Sequence, residues 1–169
     1  MNNNVPRKLY FAYGSNLYKP QMRTCADIAR DEYYNRCPDS IEVVTYTLHE
    51  YRLAFVGRGT SRWGVGGVAT VILAAGHNVN GALYRISQAD EAILDVMEGV
   101  ANGSYYKDDT TILLDSEPVL IYIATTEMGG ETAPSEKYIN RIREGYRQWG
   151  LPLENLAEIK PNSSESVMQ

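Results

Sequence analysis

The chain reads as an α+β fold in which an antiparallel or mixed sheet carries helices packed against it. Strand-like segments dominate the first 125 residues, and the longest helical pattern comes only after them. A regular alternation of strand and helix, the mark of a doubly wound parallel sheet, is missing. At 169 residues the chain holds one domain with a real core and is too short for two comfortable ones. The expected domain runs over residues 7–160. The stretch from Lys160 to Ser166 is polar and lacks apolar anchors, so residues 161–169 are expected to form a disordered tail.

The elements follow in order. Leu9-Tyr10-Phe11-Ala12-Tyr13 is apolar and aromatic, which favours a strand, and it breaks into Gly14-Ser15-Asn16-Leu17. Residues 18 to 30 have mixed helical character. Ile41 to Val56 alternates apolar and polar residues, as one bent strand or two shorter ones would. Val65 to Leu73 and Val79 to Ile86 read as a strand pair joined by Ala74-Ala75-Gly76-His77-Asn78. Ser87 with Asp90 three residues on marks a helix start, and Ile93, Leu94 and Met97 supply its apolar stripe. Tyr105 to Leu114 and Val119 to Thr126 are two more strands. A long helix is expected to begin at Pro134 and to end at Gly150, with Pro152 just beyond.

Composition narrows the functions. The net charge of −5 argues against a nucleic-acid partner, because such proteins carry a basic face that displaces condensed counterions. Arg141, Arg143 and Arg147 alternate with Glu136 and Glu144, the pattern of a solvated helix face. Cys25 and Cys37 are too few for a disulfide framework, and neither they nor the isolated His49 and His77 are spaced as metal ligands. No metal and no cofactor are expected. No window reaches the roughly 18 apolar residues of a membrane span, and residues 1–8 lack an apolar signal-like segment, so a cytoplasmic protein without membrane contact is expected.

Two places carry chemistry. Glycine, serine and asparagine after a strand form a turn that exposes successive N–H groups, a concavity suited to a carboxylate; the same residues also suit an ordinary connection. Glu98 stands before Gly99 at the end of the Ser87 helix, where the helix C-terminus disfavours a negative charge, and at the border of the apolar stripe, where burial disfavours it again. A carboxyl raised in this way suits proton transfer near neutral pH. Glu91, Asp95 and Glu98 at i, i+4 and i+7 also fit a wet acidic face. Ser15 lacks the second glycine of a nucleophile elbow, which argues against a serine hydrolase. Gly57-Arg58-Gly59 through Gly67 has no following Lys-Ser/Thr pair and runs into a strand, which argues against a phosphate loop.

Tyr13-Gly14-Ser15-Asn16-Leu17 after an N-terminal strand resembles the signature of the γ-glutamylcyclotransferase family. Trp63 to Thr70, Val79 to Tyr84, Leu94 to Val100, and Ala133-Pro134-Ser135 through Gly150 to Glu154 resemble it too, in order and at similar spacing over roughly residues 9 to 160. The resemblance implies a small, partly open mixed β-barrel with flanking helices and a cavity at one end. It implies an enzyme that releases 5-oxoproline and a free amine from γ-glutamyl compounds, with Glu98 as acid/base. It places Tyr13, Gly14, Ser15, Asn16 and Leu17 on the glutamyl unit and Tyr105 near the site, with Tyr122 and Tyr138 as looser matches; selectivity for the leaving amine is expected around Trp63 and Tyr105. The Tyr-Gly-Ser-Asn-Leu form is similar to the branch acting on γ-glutamyl amino acids. That branch is also similar to a biosynthetic enzyme that deprotects a γ-glutamylated aminoglycoside. A non-catalytic binding domain on the same fold is a further alternative. The partner is then a small molecule, and the chain a monomer or homodimer.

Overall fold

The computed structural model describes residues 6–23, 36–58 and 62–163. Five strands form one mixed sheet: β1 (Arg7–Ala12), β2 (Ile41–Val56), β3 (Val68–Ser87), β4 (Tyr105–Leu114) and β5 (Glu117–Ala124). Their order is β2-β3-β1-β5-β4. Only β1 and β5 pair in parallel, and the sheet stays open with β2 and β4 at its edges. Three helices accompany it: α1 (Lys19–Met22), α2 (Gln88–Met97) and α3 (Glu136–Trp149). This is the α+β class and mixed sheet with flanking helices that the sequence leads one to expect, and the partly open barrel implied by the resemblance is a five-stranded sheet that does not close.

The central strand β1 is buried on both faces, with Leu9, Phe11 and Ala12 wholly inaccessible. Each buried Leu or Phe side chain stabilises the fold by about 1.5–3 kcal/mol. On one face Tyr10 meets Tyr84 of β3 and Tyr122 of β5, and Tyr84 in turn meets Trp149 of α3. On the other face the Phe11 ring lies over Gly81, where any Cβ would stand 2.3 Å from it. β1 therefore ends inside the core, and the turn that follows it starts there.

The segment read as a strand pair joined at residues 74–78 is one continuous strand. β2 runs beside all of β3, from Ile41 opposite Arg85 to Val56 opposite Val68. The glycine and polar residues that look like a loop mark a local irregularity. Gly76 takes φ +76° and Glu50 φ +65°, the ladder shifts register between His49 and Tyr51, and Glu50 accepts the Gly76 N–H at 3.0 Å. The strand begins at Val68 and not at Val65, because the Gly66 and Gly67 backbone is pressed against residues 132–135.

Other boundaries move less. α2 has the expected capping box, with Ser87 and Asp90 bonding each other's backbone N–H groups. α3 starts two residues after Pro134, because the Ser135 hydroxyl caps it by accepting the Tyr138 N–H at 3.1 Å. It ends at Gly150 in the left-handed conformation. The last strand is Glu117–Ala124 where Val119 to Thr126 was expected. Within residues 18–30, α1 covers Lys19–Met22; residues 24–30, Cys25 among them, lie outside the described part, and so do residues 164–169 of the expected tail. Asn162 donates its N–H to the Pro134 carbonyl at 2.7 Å.

The acidic series on α2 is not a wet face. Glu91 is buried and ion-paired with Lys8 and Lys107, and Asp95 accepts from Lys107 and from the Tyr122 hydroxyl. Burial pushes the Glu91 carboxyl up, but the two ammonium groups outweigh it and hold the carboxyl below its ordinary value. Nor is the α3 arginine face wholly solvated. Arg141 covers the rings of Tyr18 and Trp63 and donates to Gln21, whereas Arg147 pairs with Glu144 at the surface.

Gly145 lets α3 touch the turn after β1. An added Cβ would lie 2.5 Å from Leu17 Cβ and 2.7 Å from the Leu17 carbonyl carbon. Alanine is the better helix former by about 1 kcal/mol, whereas overpacking a tight contact costs about 1–3 kcal/mol. Gly145→Ala is therefore expected to lower the melting temperature in a thermal unfolding scan; a value equal to or above that of the unmodified chain would show that helix and turn do not meet so closely.

Candidate active site

α2 delivers Glu98 to the end of the sheet. The helix stops because Gly99 adopts φ +65°, where any other side chain is strained and a Cβ would also meet Ser104. Glu98 is thus the residue that closes the helix, its N–H donating to the Leu94 carbonyl at 2.8 Å. Its carboxylate enters a cavity of about 340 Å³, mouth included. Burial raises the Glu98 carboxyl above its ordinary value, while Arg36, Arg62 and a hydrogen bond from Asn16 pull against this without reversing it. The negative end of the α2 dipole acts in the same direction as burial.

The turn after β1 forms the facing wall. Gly14, Ser15 and Asn16 all line the cavity, and a single 3-10 turn follows over Ser15–Leu17. The N–H groups of Ser15 and Asn16 open that turn and have no acceptor within it. Gly14 has φ −109°, so its freedom at positive φ is not used. Space is what it supplies, because a Cβ would lie 3.1 Å from Ala69 Cβ and 3.5 Å from the Tyr138 hydroxyl. Asn16 is buried and fully engaged. Its Nδ2 donates to the Tyr10 hydroxyl at 2.9 Å and to Glu98 Oε1 at 3.4 Å, and its Oδ1 accepts from Gln21 at 2.8 Å and from Arg36 at 3.1 Å.

Tyrosines make the rest of the wall. Tyr10 and Tyr13 come from β1 and its end, Tyr105 from β4, Tyr122 from β5 and Tyr138 from α3. Most of their hydroxyls are tied into the scaffold: Tyr13 donates to the Tyr122 carbonyl at 2.6 Å, Tyr105 to the Ala69 carbonyl at 2.6 Å and Tyr122 to Asp95 at 2.7 Å. The Tyr138 hydroxyl accepts the Ala69 N–H at 3.0 Å, which leaves its own proton to donate. Burial pushes the phenols of Tyr10, Tyr13 and Tyr105 well up and that of Tyr138 to about 12, so these groups stay neutral. The rings crowd Glu98, which is half-buried, and add no charge.

The structure therefore gathers Tyr13, Gly14, Ser15, Asn16, Glu98, Tyr105, Tyr122 and Tyr138 around one cavity. Leu17 is not in the lining; it is buried where Gly145 packs on the turn. Trp63 stands behind Tyr138, ring centroids 5.1 Å apart, with Arg62 and Arg141 over its indole. Sequence reasoning missed Tyr10, Ala69, Gln21 and Arg36. Tyr10 alternates with Phe11 in a strand buried on both faces, so no period distinguishes the ring that faces the cavity. Among the described residues, no group of three His, Cys, Asp or Glu side chains lies close enough to hold a metal, and no helix is long and apolar enough to cross a membrane.

A half-buried carboxylate faces a Gly-Ser-Asn turn across a cavity at the end of an open mixed sheet. The family model described as gamma-glutamyl cyclotransferase, AIG2-like, matches residues 10–141, and the chain belongs to that family. The gamma-glutamylcyclotransferases of Bos taurus and Homo sapiens are each 29% identical over 161 residues, covering 91% of this chain and 79% of theirs. A solved gamma-glutamyl cyclotransferase structure superposes with a TM-score of 0.77 at 27% identity, covering 94% of this chain and 90% of that one.

The raised Glu98 carboxyl has a consequence for stability. A fold that binds this proton more tightly than the unfolded chain does is favoured at low pH and loses that contribution as pH rises through the folded-state value. Glu98→Gln has no such loss. Thermal scans should find the variant more stable than the unmodified protein at pH 7, with the difference closing below about pH 4, where the unfolded glutamate is protonated too. A difference that is constant with pH would show that Glu98 is not desolvated.

Proposed function

We propose that this chain cleaves γ-glutamyl amides by closing the glutamyl unit into 5-oxoproline, with Glu98 as the acid/base. The observation that supports this most is the isolation of one raised carboxylate in a tyrosine-walled cavity opposite two backbone N–H groups with no acceptor in their own turn. Such a site suits a substrate that brings its own nucleophile. The α-ammonium gives a proton to Glu98, and the freed amine attacks the γ-carbonyl carbon. In the adduct the attacking nitrogen still holds two protons; Glu98 returns the first proton to the amide nitrogen, takes the second from the ring nitrogen as the amide carbon–nitrogen bond breaks, and passes it to the departing amine, which leaves as an ammonium beside 5-oxoproline with the carboxylate restored.

The rest is positioning. A flexible glutamyl chain must be folded so that amine and carbonyl meet, and well-aligned intramolecular reactions gain up to about 7–11 kcal/mol in this way. The Ser15 and Asn16 N–H groups and the Tyr138 hydroxyl are the donors available to the glutamyl carboxylate and to the carbonyl oxygen. Tyr105 and Tyr122 set the width of the cavity, their hydroxyls held in the wall. Leu17 serves the same site from behind by seating the turn on α3.

We place the leaving amine on the Tyr138 side of the cavity, behind which stand Trp63 and the guanidinium groups of Arg62 and Arg141. Like charges repel, so cations on this side favour an amino-acid leaving group with its own carboxylate over a polycationic aminoglycoside.

Glu98→Gln keeps the shape of the side chain and removes the proton acceptor. Turnover of a γ-glutamyl amino acid, followed as 5-oxoproline, is expected to fall on the order of 10²–10⁴-fold in a folded variant. Near-normal turnover would remove Glu98 from the chemistry. Acetylating the α-amine of a good substrate should abolish its cleavage altogether, since the amide persists and the nucleophile does not. Release of the amine from the acetylated compound would mean attack by water and would overturn the cyclisation.

A further inference from the structure

We infer that Arg36 is a positioning residue for this reaction: its guanidinium fixes the Asn16 amide with the nitrogen toward Glu98 and supplies the buried positive charge that holds Glu98 ionised. The inference rests on the reading of Glu98 as the acid/base.

The guanidinium of Arg36 is in an unusual position. Arg36 is only 5% exposed, its Nη1 donates to Asn16 Oδ1 at 3.1 Å, and among the described residues its Nε and Nη2 have no partner. A buried charge with two unsatisfied donors is costly to the fold. Burial, followed by the neighbouring Arg62, lowers Arg36 to about 10, so it remains a cation at neutral pH. Among the described residues no carboxylate is hydrogen-bonded to it, and Glu98 is the carboxylate whose charge acts on it. Such a charge is better explained by what it does to its neighbours than by its own stability.

It acts first through geometry. An amide side chain can be turned over so that nitrogen and oxygen exchange places, and its surroundings decide which way it lies. Arg36 and Gln21 both offer N–H groups to the same side of Asn16, so the oxygen must lie there and the nitrogen must face Tyr10 and Glu98. The N–H that Glu98 receives favours its charged form. Arg36 acts secondly through its field, because its own charge is buried and is screened less than an exposed one, and it pulls the Glu98 carboxyl down against burial.

The other groups facing Glu98 do not replace it. Tyr10 and Tyr13 from β1 and its end, Tyr105 from β4, Tyr138 from α3 and the thiol of Cys37 are all pushed up by burial and stay neutral. Arg62, on the loop before β3, is half-exposed and its field is weakened by solvent. Arg36 is therefore the buried cation of the site among the described residues.

The test is the pH dependence of kcat/KM for 5-oxoproline release by the full chain, in Arg36→Met, Arg36→Gln, Arg36→Lys and Glu98→Gln, each checked for folding by its unfolding transition. Arg36→Met should move the acid limb to higher pH by about one pH unit, losing roughly tenfold on the acid side and little on the alkaline side. Arg36→Gln keeps an amide donor for Asn16 without the charge and should move the limb in the same direction, so the charge is tested even where methionine is not tolerated. Arg36→Lys should bring the limb back toward its original position. Limbs of the Met and Gln variants that coincide with the unmodified one, or a loss equal at every pH with Lys no better than Met, would overturn the assignment. If Glu98→Gln is inactive while these limbs do not move, only the role of Arg36 falls; if Glu98→Gln is active, the reading of Glu98 falls as well.

Discussion

A carboxylate does not stay among aromatic rings unless the chain around it is built to hold it there, and the architecture of this protein is organised around that requirement. Glu98 is placed by the end of α2, where Gly99 allows the chain to turn away at once. It is half-buried among tyrosines that arrive from β1, β4, β5 and α3. It is kept ionisable by one amide hydrogen from Asn16. Desolvation alone would make it a permanent acid; charge and hydrogen bonding alone would make it a weak base. A proton carrier near neutral pH needs the two effects in opposition.

The scaffold is stiffened where the site needs it. The Tyr13 hydroxyl ties the end of β1 to the backbone of β5, Tyr105 ties β4 to Ala69 of β3, and Tyr122 ties β5 to Asp95 on α2. Asp95 lies three residues before Glu98 and shares Lys107 with Glu91, so the helix that carries the carboxylate is pinned to the sheet by ion pairs as well as by its apolar side. Phenols are well suited to this work, since each can fill space with its ring while its hydroxyl satisfies a buried carbonyl or carboxylate. With 13 tyrosines against two phenylalanines, the chain uses aromatic residues as cross-links more than as filler.

What was legible in the sequence was local. Ser87 with Asp90, Gly99 after Glu98, and Gly150 before Pro152 are capping signals whose partners lie within a few residues, and each marks a helix end in the structure. The Gly-Ser-Asn turn was legible as a break in an apolar strand, though glycine is there for space and not for its backbone angle. What was illegible depended on distant partners. Residues 74–78 look like a loop because a bulge uses the same residue types, and only the unbroken run of β2 alongside shows otherwise. Glu91 and Asp95 look solvated because Lys8, Lys107 and Tyr122 come from other strands. Arg36 follows α1 without any periodic pattern, and its contact with Asn16, 20 residues earlier, has no local signature.

The claim on which the rest depends is that Glu98 carries a raised carboxyl in the folded protein. Carbon-13 labelling of the glutamate side chains, with the Glu98 resonance identified by its absence from Glu98→Gln, allows that one group to be titrated directly. Its midpoint is expected to lie above the ordinary glutamate value of about 4.3. A midpoint at or below that value would mean that burial among the tyrosines does not outweigh the neighbouring charges, and would contradict the role proposed for Glu98 as the proton carrier.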